Sequence, residues 1–489
     1  MRKNGDKVRY NYIFNLIYQA INILVQVVLL RYLAIVIGSE GIGIQSYTNS
    51  IVTYFTMILA LGVNWYGQKE IAQKMEDKIK LSKCFWELMA LKLFWSLAIL
   101  PFYVIVIILG GEYQIYYIAS SFMLVATIAD ISWFYQGIER FDIVAIRNSL
   151  IKLAGMFLVL FWVKGKDDVL KYIFILSLAN MLGNFSIWIK IHREVLPFWK
   201  AEFEVKKIAD HFKNSFRYFV PTIAITVYST LDRTMIGFIC KRPEENGFYE
   251  QAIQISNMLK IVVLSYNSVM MSRMTLVMAQ KKKTEVIKLF EGSLEFIILI
   301  SWPIIFGVAA LARDFCFIYF SADYNQIADI LLCFSPLILI VGLSNIVETH
   351  IVTPTNQRSL GNRIVLQGLA ANVILNSIFI PLWSGIGAAL ASVLSEILVT
   401  IQYVRKYPEL ITWKKIAAVG FKKSIAAVIM FLAIMVVRHY LAASIIVLCL
   451  EVAAGAGIYF MTLYLLRDQY VANKVHLLKA RMGKCKKGE

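Results

Sequence analysis

Charge is scarce in this chain. Of 489 residues only 17% are Asp, Glu, Lys or Arg, against about a quarter in a soluble domain. The six cysteines (84, 240, 316, 333, 449 and 485) are scattered, with no C-x-x-C pair. That excludes a zinc ribbon and a disulfide scaffold. The five histidines (192, 211, 350, 439 and 476) show no metal-ligand spacing, so no metal site is expected. No P-loop occurs. The glycine-rich Gly38-Ser-Glu-Gly41-Ile-Gly43 joins two apolar runs rather than a strand and a helix, so it is expected to turn the chain, not to cradle a phosphate. No cofactor is expected.

Apolar runs are abundant. The hydrophobic fraction is 59% and the mean hydropathy +0.64. A bilayer core about 30 Å thick needs about 20 apolar residues per helix. The sequence supplies about fourteen such runs: 13–37, 43–64, 84–109, 115–137, 149–163, 169–189, 218–239, 248–272, 291–312, 326–347, 364–383, 386–404, 420–440 and 443–466. An all-α polytopic membrane protein is the expected class. The first run follows Arg2, Lys3, Lys7 and Arg9 as a signal peptide would, but it is too long and no cleavage motif follows; it is expected to stay as a helix.

The net charge of +18 raises nucleic acid as a partner, and its distribution excludes it. With the N-terminus in the cytoplasm, 38 of the 50 Lys and Arg fall in cytoplasmic segments, seven in outer loops and five (Arg31, Lys92, Lys152, Arg233, Lys260) inside spans. This is the positive-inside pattern, and it predicts that both termini are cytoplasmic. The loops leave no room for a soluble domain. The organisation expected is a six-helix lobe at 1–190, a cytoplasmic linker at 191–217, a second lobe at 218–404, two further helices at 405–466 and a basic tail at 467–489. The halves resemble each other weakly: Ser177-Leu-Ala-Asn-Met-Leu-Gly-Asn184 is similar to Ala389-Leu-Ala-Ser-Val-Leu-Ser-Glu396. Paired repeats around a central cavity are a transporter design, although small-xxx-small packing alone can produce such likeness.

Asn15, Gln19, Asn22 and Gln26 stand at i, i+4, i+7 and i+11, and Thr222, Thr226, Ser229 and Arg233 repeat the spacing. Each set lies on one helix face. A polar face inside a bilayer must meet protein or water, through interhelical hydrogen bonds or a hydrated cavity. Matching stripes in the two halves favour the cavity. A mid-membrane cation costs about 2.5–3.5 kcal/mol, so Arg31, Arg233 and Lys260 are the candidate substrate-binding cations. Lys92 and Lys152 stand near span ends, where snorkelling to the interface is expected. Arg31 lies about 160° from the Asn15–Gln26 stripe in a straight helix. Asp130, Asp232, Glu396 and Glu451 are the acids; the first three are candidates for neutralising a cation or binding a coupling proton or Na+.

A cavity richer in cations than acids suits a lipid carrier bearing a diphosphate and sugars better than a cationic drug. An enzyme using a lipid-linked sugar would need an ordered catalytic site, commonly on a large outer loop, which is lacking.

Several segments taken in order and spacing resemble bacterial polysaccharide repeat-unit flippases, of the superfamily that also holds multidrug exporters and the peptidoglycan lipid flippase. They include Gly38-Ser-Glu-Gly-Ile-Gly-Ile-Gln-Ser-Tyr47, Tyr66-Gly-Gln-Lys-Glu-Ile-Ala72, Gln136-Gly-Ile-Glu-Arg140 with Arg147-Asn148, Leu231-Asp-Arg-Thr-Met-Ile-Gly237, Asn246-Gly-Phe-Tyr249, Asn372 with Asn376, and Gly385-Ile-Gly-Ala-Ala389. The resemblance covers about residues 10–410. It implies a two-lobed fold with a central cationic cavity and transfer of undecaprenyl-diphosphate oligosaccharide from the inner to the outer leaflet. It also implies work alongside a polysaccharide polymerase and chain-length machinery, and marks the last two helices as an addition to a twelve-helix core. The chain departs from the pattern at Ile35, where relatives often carry Arg, at Gln254 (often Lys) and at Ser272 (often Pro).

Overall fold

In the computed structural model, described residues are 2–200, 204–320 and 325–474; side chains are described from residue 19 onward, Val205 apart. They form helices and, among the described residues, no strand. Among the described residues, twelve helical segments are long and apolar enough to cross a membrane.

The chain packs as two compact units, 1–250 and 251–489. The first holds α1 (Arg2–Val36), α2 (Gly38–Ala60), α3 (Val63–Lys74), α4 (Lys78–Leu109), α5 (Gln114–Ala129), α6 (Ser132–Gly137), α7 (Phe141–Trp162), α8 (Val169–Ser186), the short α9 (Ile191–Glu194) and α10 (Val205–Cys240). It closes within the start of α11 (Pro243–Ala279). Helix α1 packs on α7, α5 on α8, and α10 on α2, α3 and α4. An aromatic core (Tyr66, Phe85, Trp133, Phe134, Tyr135) fills one end, and a second core gathers Val52, Leu59, Tyr103, Tyr117 and Leu124.

Two helix breaks shape this unit. The first separates α2 from α3 at Leu61 and Gly62, both left-handed. A Cβ on Gly62 would stand 2.7 Å from Phe219 N and from Ser215 O, so this position admits α10 only as glycine. Carbonyls freed by the break must find donors inside a bilayer. Ser215 Oγ donates to Leu61 O at 2.5 Å, and Trp95 Nε1 to Ile58 O at 2.8 Å. The second break, between α5 and α6, carries the first polar cluster described below.

The second unit holds the rest of α11, α12 (Lys283–Tyr319), α13 (Asn325–Phe334), α14 (Leu337–Val347), a π-helical turn (Glu348–Val352), α15 (Arg358–Lys406), α16 (Trp413–Tyr440) and α17 (Ile445–Leu465). Segment α15 is two helices: Ser384 interrupts it at φ 50°, ψ −125°. Asn372 Nδ2 donates to Ser392 Oγ at 3.4 Å, although twenty residues of straight helix would span about 30 Å. The chain therefore doubles back, as the separate spans 364–383 and 386–404 require. The final pair is fastened to α12 along its length. Lys423, 1% exposed, meets Glu295 at 2.6 Å and Asp468 at 3.2 Å; Tyr459 OH donates to Leu299 O at 2.8 Å; Arg438 meets Asp314 at 2.6 Å.

Outside the spans, Asp77 caps α4, accepting from the amides of Ile79 and Lys80. The Lys80 amide, then its ammonium, holds this carboxyl below the usual range. Glu204 pairs with Lys83 at 2.5 Å and Lys207 at 3.5 Å; the Lys83 bond is the main cause of its lowered pKa.

Candidate functional site

Three polar constellations hold candidates that the sequence names. The first is built on the α5–α6 break. Asp130 turns extended (ψ 118°), releasing the last carbonyls of α5. Four carbonyls here find side-chain donors: Asn184 Nδ2 on Ala126 O at 2.9 Å, Lys92 Nζ on Thr127 O at 2.9 Å and on Asp130 O at 2.8 Å, Trp188 Nε1 on Ala129 O at 2.7 Å. Lys92 is 1% exposed, so the expectation that it snorkels is wrong: its ammonium serves the broken helix. The Asp130 carboxylate faces Arg147 at 3.6 Å and accepts from the Ser132 amide at 2.9 Å. Arg147 also donates to Ser132 Oγ at 2.7 Å and to Asn184 Oδ1. Asp130, singled out as a candidate coupling acid, here neutralises a buried arginine.

The second centres on Arg233. Its guanidinium pairs with Glu250 through Nε and, at 3.5 Å, through Nη2. Glu250, 8% exposed, also accepts from Ser46 Oγ at 3.0 Å. Asn246 Nδ2 donates to Arg233 O at 2.8 Å. Neighbouring Asp232 accepts from Tyr249 OH instead, as the 100° step between adjacent helix residues leads one to expect. Above this cluster Tyr54 OH and Thr234 Oγ1 lie 2.9 Å apart, and Thr234 donates to Ser50 Oγ at 2.9 Å. A cleft of about 540 Å³ between α2 and α10 ends at Tyr54 and Thr234, with Met57, Ile58, Phe219, Ile223, Val227 and Leu231 as its apolar walls. Its α10 wall is the strip beside Thr222, Thr226 and Ser229, not those residues themselves. Thr222 donates to Tyr218 O and Ser229 to Thr226 O within the helix.

The third lies on the second unit, where Lys260 stands within reach of the charge of Glu396. Of the other candidates, Arg31 is exposed on α1, as are Gln19 and Gln26. Asn22 is half-buried and accepts from Lys152, so Lys152 too is engaged within the protein rather than snorkelling. The side chain of Asn15 and the tail beyond Lys474 lie outside the described residues. Glu451 is buried on α17.

Sequence reasoning missed Glu250, which stands just inside the eighth run, seven residues after Pro243. Its helix register beside Asn246 was the available signal. It also missed the buried chain of Tyr66 OH, His211 and Glu87, joined at 2.7 and 3.1 Å across α3, α10 and α4.

Long apolar helices broken at buried ion clusters define a multi-pass membrane protein. The family model described as "Polysaccharide biosynthesis protein" matches residues 8–275, more than half of the chain, and the chain belongs to that family. A protein of Escherichia coli (strain K12) named "Putative O-antigen transporter" is 25% identical over 413 residues, 82% of this chain and 96% of its own. One of the same name from Shigella dysenteriae is 22% identical over 220 residues, 44% of this chain and 55% of its own. Among solved structures, a lipid II flippase MurJ in an inward closed conformation aligns with TM-score 0.70 at 14% identity, over 94% of this chain and 99% of that one. A multidrug resistance MATE family transporter aligns with TM-score 0.58 at 14% identity, over 80% and 95%. The all-α fold expected from the apolar runs is thus the one observed.

Proposed function

We propose that the chain is a flippase for lipid-linked oligosaccharide. It would carry undecaprenyl-diphosphate repeat units from the inner to the outer leaflet of the bacterial cytoplasmic membrane by alternating access, with both termini cytoplasmic. The observation that carries this reading is the pairing of a polysaccharide-biosynthesis sequence family with a flippase-like fold along nearly the whole chain. Arg233 and Lys260, with Arg31, are the groups assigned to the diphosphate, because a guanidinium binds phosphate oxygens bidentately and an ammonium binds them as a point charge. The polar stripes of α1 and α10 are assigned to the sugars. Each negative charge carried outward gains about 2.3 kcal/mol per 100 mV of an inside-negative potential, so potential can drive the step; antiport of H+ or Na+ is the rival source. A polymerase and chain-length machinery are the partners such a product requires.

Alanine at Arg233 or Lys260 tests the assignment. Surface polysaccharide should fall in both at unchanged protein level, and normal export by both would defeat it. The MATE likeness supports an ion-coupled drug exporter as the second reading. Accumulation of a labelled cationic drug in a deletion strain, with polysaccharide intact, would decide for it.

A further inference from the structure

Helices α2 and α11 cross at two glycines. A Cβ on Gly43 would lie 1.7 Å from Pro243 O, and one on Gly247 2.0 Å from Ser39 O. The backbones therefore touch, and no side chain intervenes. One helical turn further along each helix stand Ser46 and Glu250, joined at 3.0 Å. The Glu250 carboxylate thus meets both a hydroxyl on α2 and the guanidinium of Arg233 on α10. Asn246, Asp232 held by Tyr249, and Tyr172 on α8 belong to the same polar neighbourhood.

We propose that Glu250 is an internal stand-in for the substrate: its carboxylate occupies the Arg233 guanidinium until a lipid diphosphate displaces it, and that displacement unfastens the α2–α11 crossing. This rests on the assignment of Arg233 to the diphosphate. A carboxylate and a phosphate oxygen pair compete for the same guanidinium donors, and a diphosphate brings more charge and more acceptors. Once exchanged, Glu250 loses the cation that holds it against Ser46, and the glycine crossing keeps its backbone contact and the weaker Ser46–Asn246 hydrogen bond at 3.4 Å. Ligand and helix crossing are then coupled through one residue, because the ligand favours the state in which Glu250 has moved. Coupling is reciprocal, so whatever weakens the Glu250 fastening must tighten ligand binding.

The test uses the full-length chain in detergent and undecaprenyl diphosphate as probe, with amide exchange followed over 38–50 and 243–255. Wild type should bind the probe, lose binding on Arg233→Ala, and exchange faster in both segments when bound. Glu250→Gln keeps the side-chain shape and a hydrogen-bonding group but removes the competing charge. It should bind about tenfold tighter, the effect of removing a competitor of about 1.4 kcal/mol, with both segments already exchanging fast without probe. Ser46→Ala should tighten binding more modestly. Glu250→Gln binding no tighter than wild type, while Arg233→Ala abolishes binding, overturns the stand-in and leaves the substrate assignment intact. Absence of Arg233-dependent binding in wild type overturns both. Unchanged exchange in wild type on binding overturns the coupling even if Glu250→Gln fails to fold.

Discussion

Replacing Arg147 with Met should destabilise the protein far more than replacing both Arg147 and Asp130. Met keeps the length and apolar packing of the arginine stem and removes its charge. Arg147 is 9% exposed and Asp130 23%. At their 3.6 Å separation the gross attraction is about 4–5 kcal/mol at an effective dielectric constant near 20. Breaking a buried pair from one side costs about 3–5 kcal/mol, because a charge is left behind. Asp130 keeps the Ser132 amide, which places the loss toward the lower end. Asp130→Asn with Arg147→Met removes both charges and should recover at least about 2 kcal/mol as coupling energy in a double-mutant cycle. With about 2.1 cal/mol/K of unfolding entropy per residue, 3 kcal/mol is a fall of about 3 °C in apparent Tm if the chain melts as one. Thermal scans in detergent, paired with surface polysaccharide assays, read both effects. Additive losses in the double variant would refute the ion-pair reasoning. If Asp130→Asn loses export while melting like wild type, and Arg147→Met does not restore it, Asp130 is a coupling acid after all.

Ser384→Gly should raise the apparent Tm, since φ 50°, ψ −125° costs an L residue on the order of 1–3 kcal/mol; Ser384→Val should lower it. Gly43→Ala and Gly247→Ala should each abolish export, because a methyl at 1.7 or 2.0 Å from a backbone oxygen forces α2 and α11 apart; normal export in either would refute that close approach. Lys423→Met should cost about 3–5 kcal/mol, since Glu295 and Asp468 then face each other without a cation, and the melt should recover partly on Glu295→Gln. Because the pKa of Glu204 is lowered, its tie to Lys83 is fully present above the ordinary carboxylate pKa and is lost as pH falls through the lowered value. The protection of amides 204–212, taken relative to their intrinsic exchange rate at each pH, should therefore fall on acidification below about pH 4.5, and Glu204→Gln should remove that fall.

The fold was legible because the bilayer simplifies the physics. Apolar length alone fixes a span, so α4, α12 and α16 contain the expected runs 84–109, 291–312 and 420–440 whole, and α7 and α17 end within one residue of theirs. Helix breaks were less legible. The run 115–137 looks continuous, yet the chain opens at Asp130. No local signal announces a break whose stability comes from Asn184, Lys92 and Trp188, residues 38 or more positions away along the chain. The same reason explains Lys92 itself: a position near a span end suggests snorkelling, and only the tertiary fold brings the Thr127 and Asp130 carbonyls to its ammonium.

For the candidate site, the sequence identified the cations and not their occupation. A cation inside a membrane must be neutralised, and the acids the sequence offers within its spans are Asp130, Asp232, Glu396 and Glu451. The acid that meets Arg233 lies near the start of α11, and helix geometry explains why that edge position matters. Arg233 is seven residues before Cys240 and Glu250 seven after Pro243, so each is about 10 Å from the short turn joining α10 to α11. Two helices joined by a tight turn place residues at equal depth side by side. Equal spacing from a shared turn is therefore a better guide to pairing than charge within a span. Applied to α16 and α17, the rule sets Arg438 at the turn itself and Glu451 well below it, and Arg438 pairs elsewhere, with Asp314. A charge at matched depth finds its partner across the turn; a charge without a match must look to another helix. That is the condition under which Arg233 already holds a carboxylate, so that the diphosphate proposed for it would have to compete rather than find it vacant.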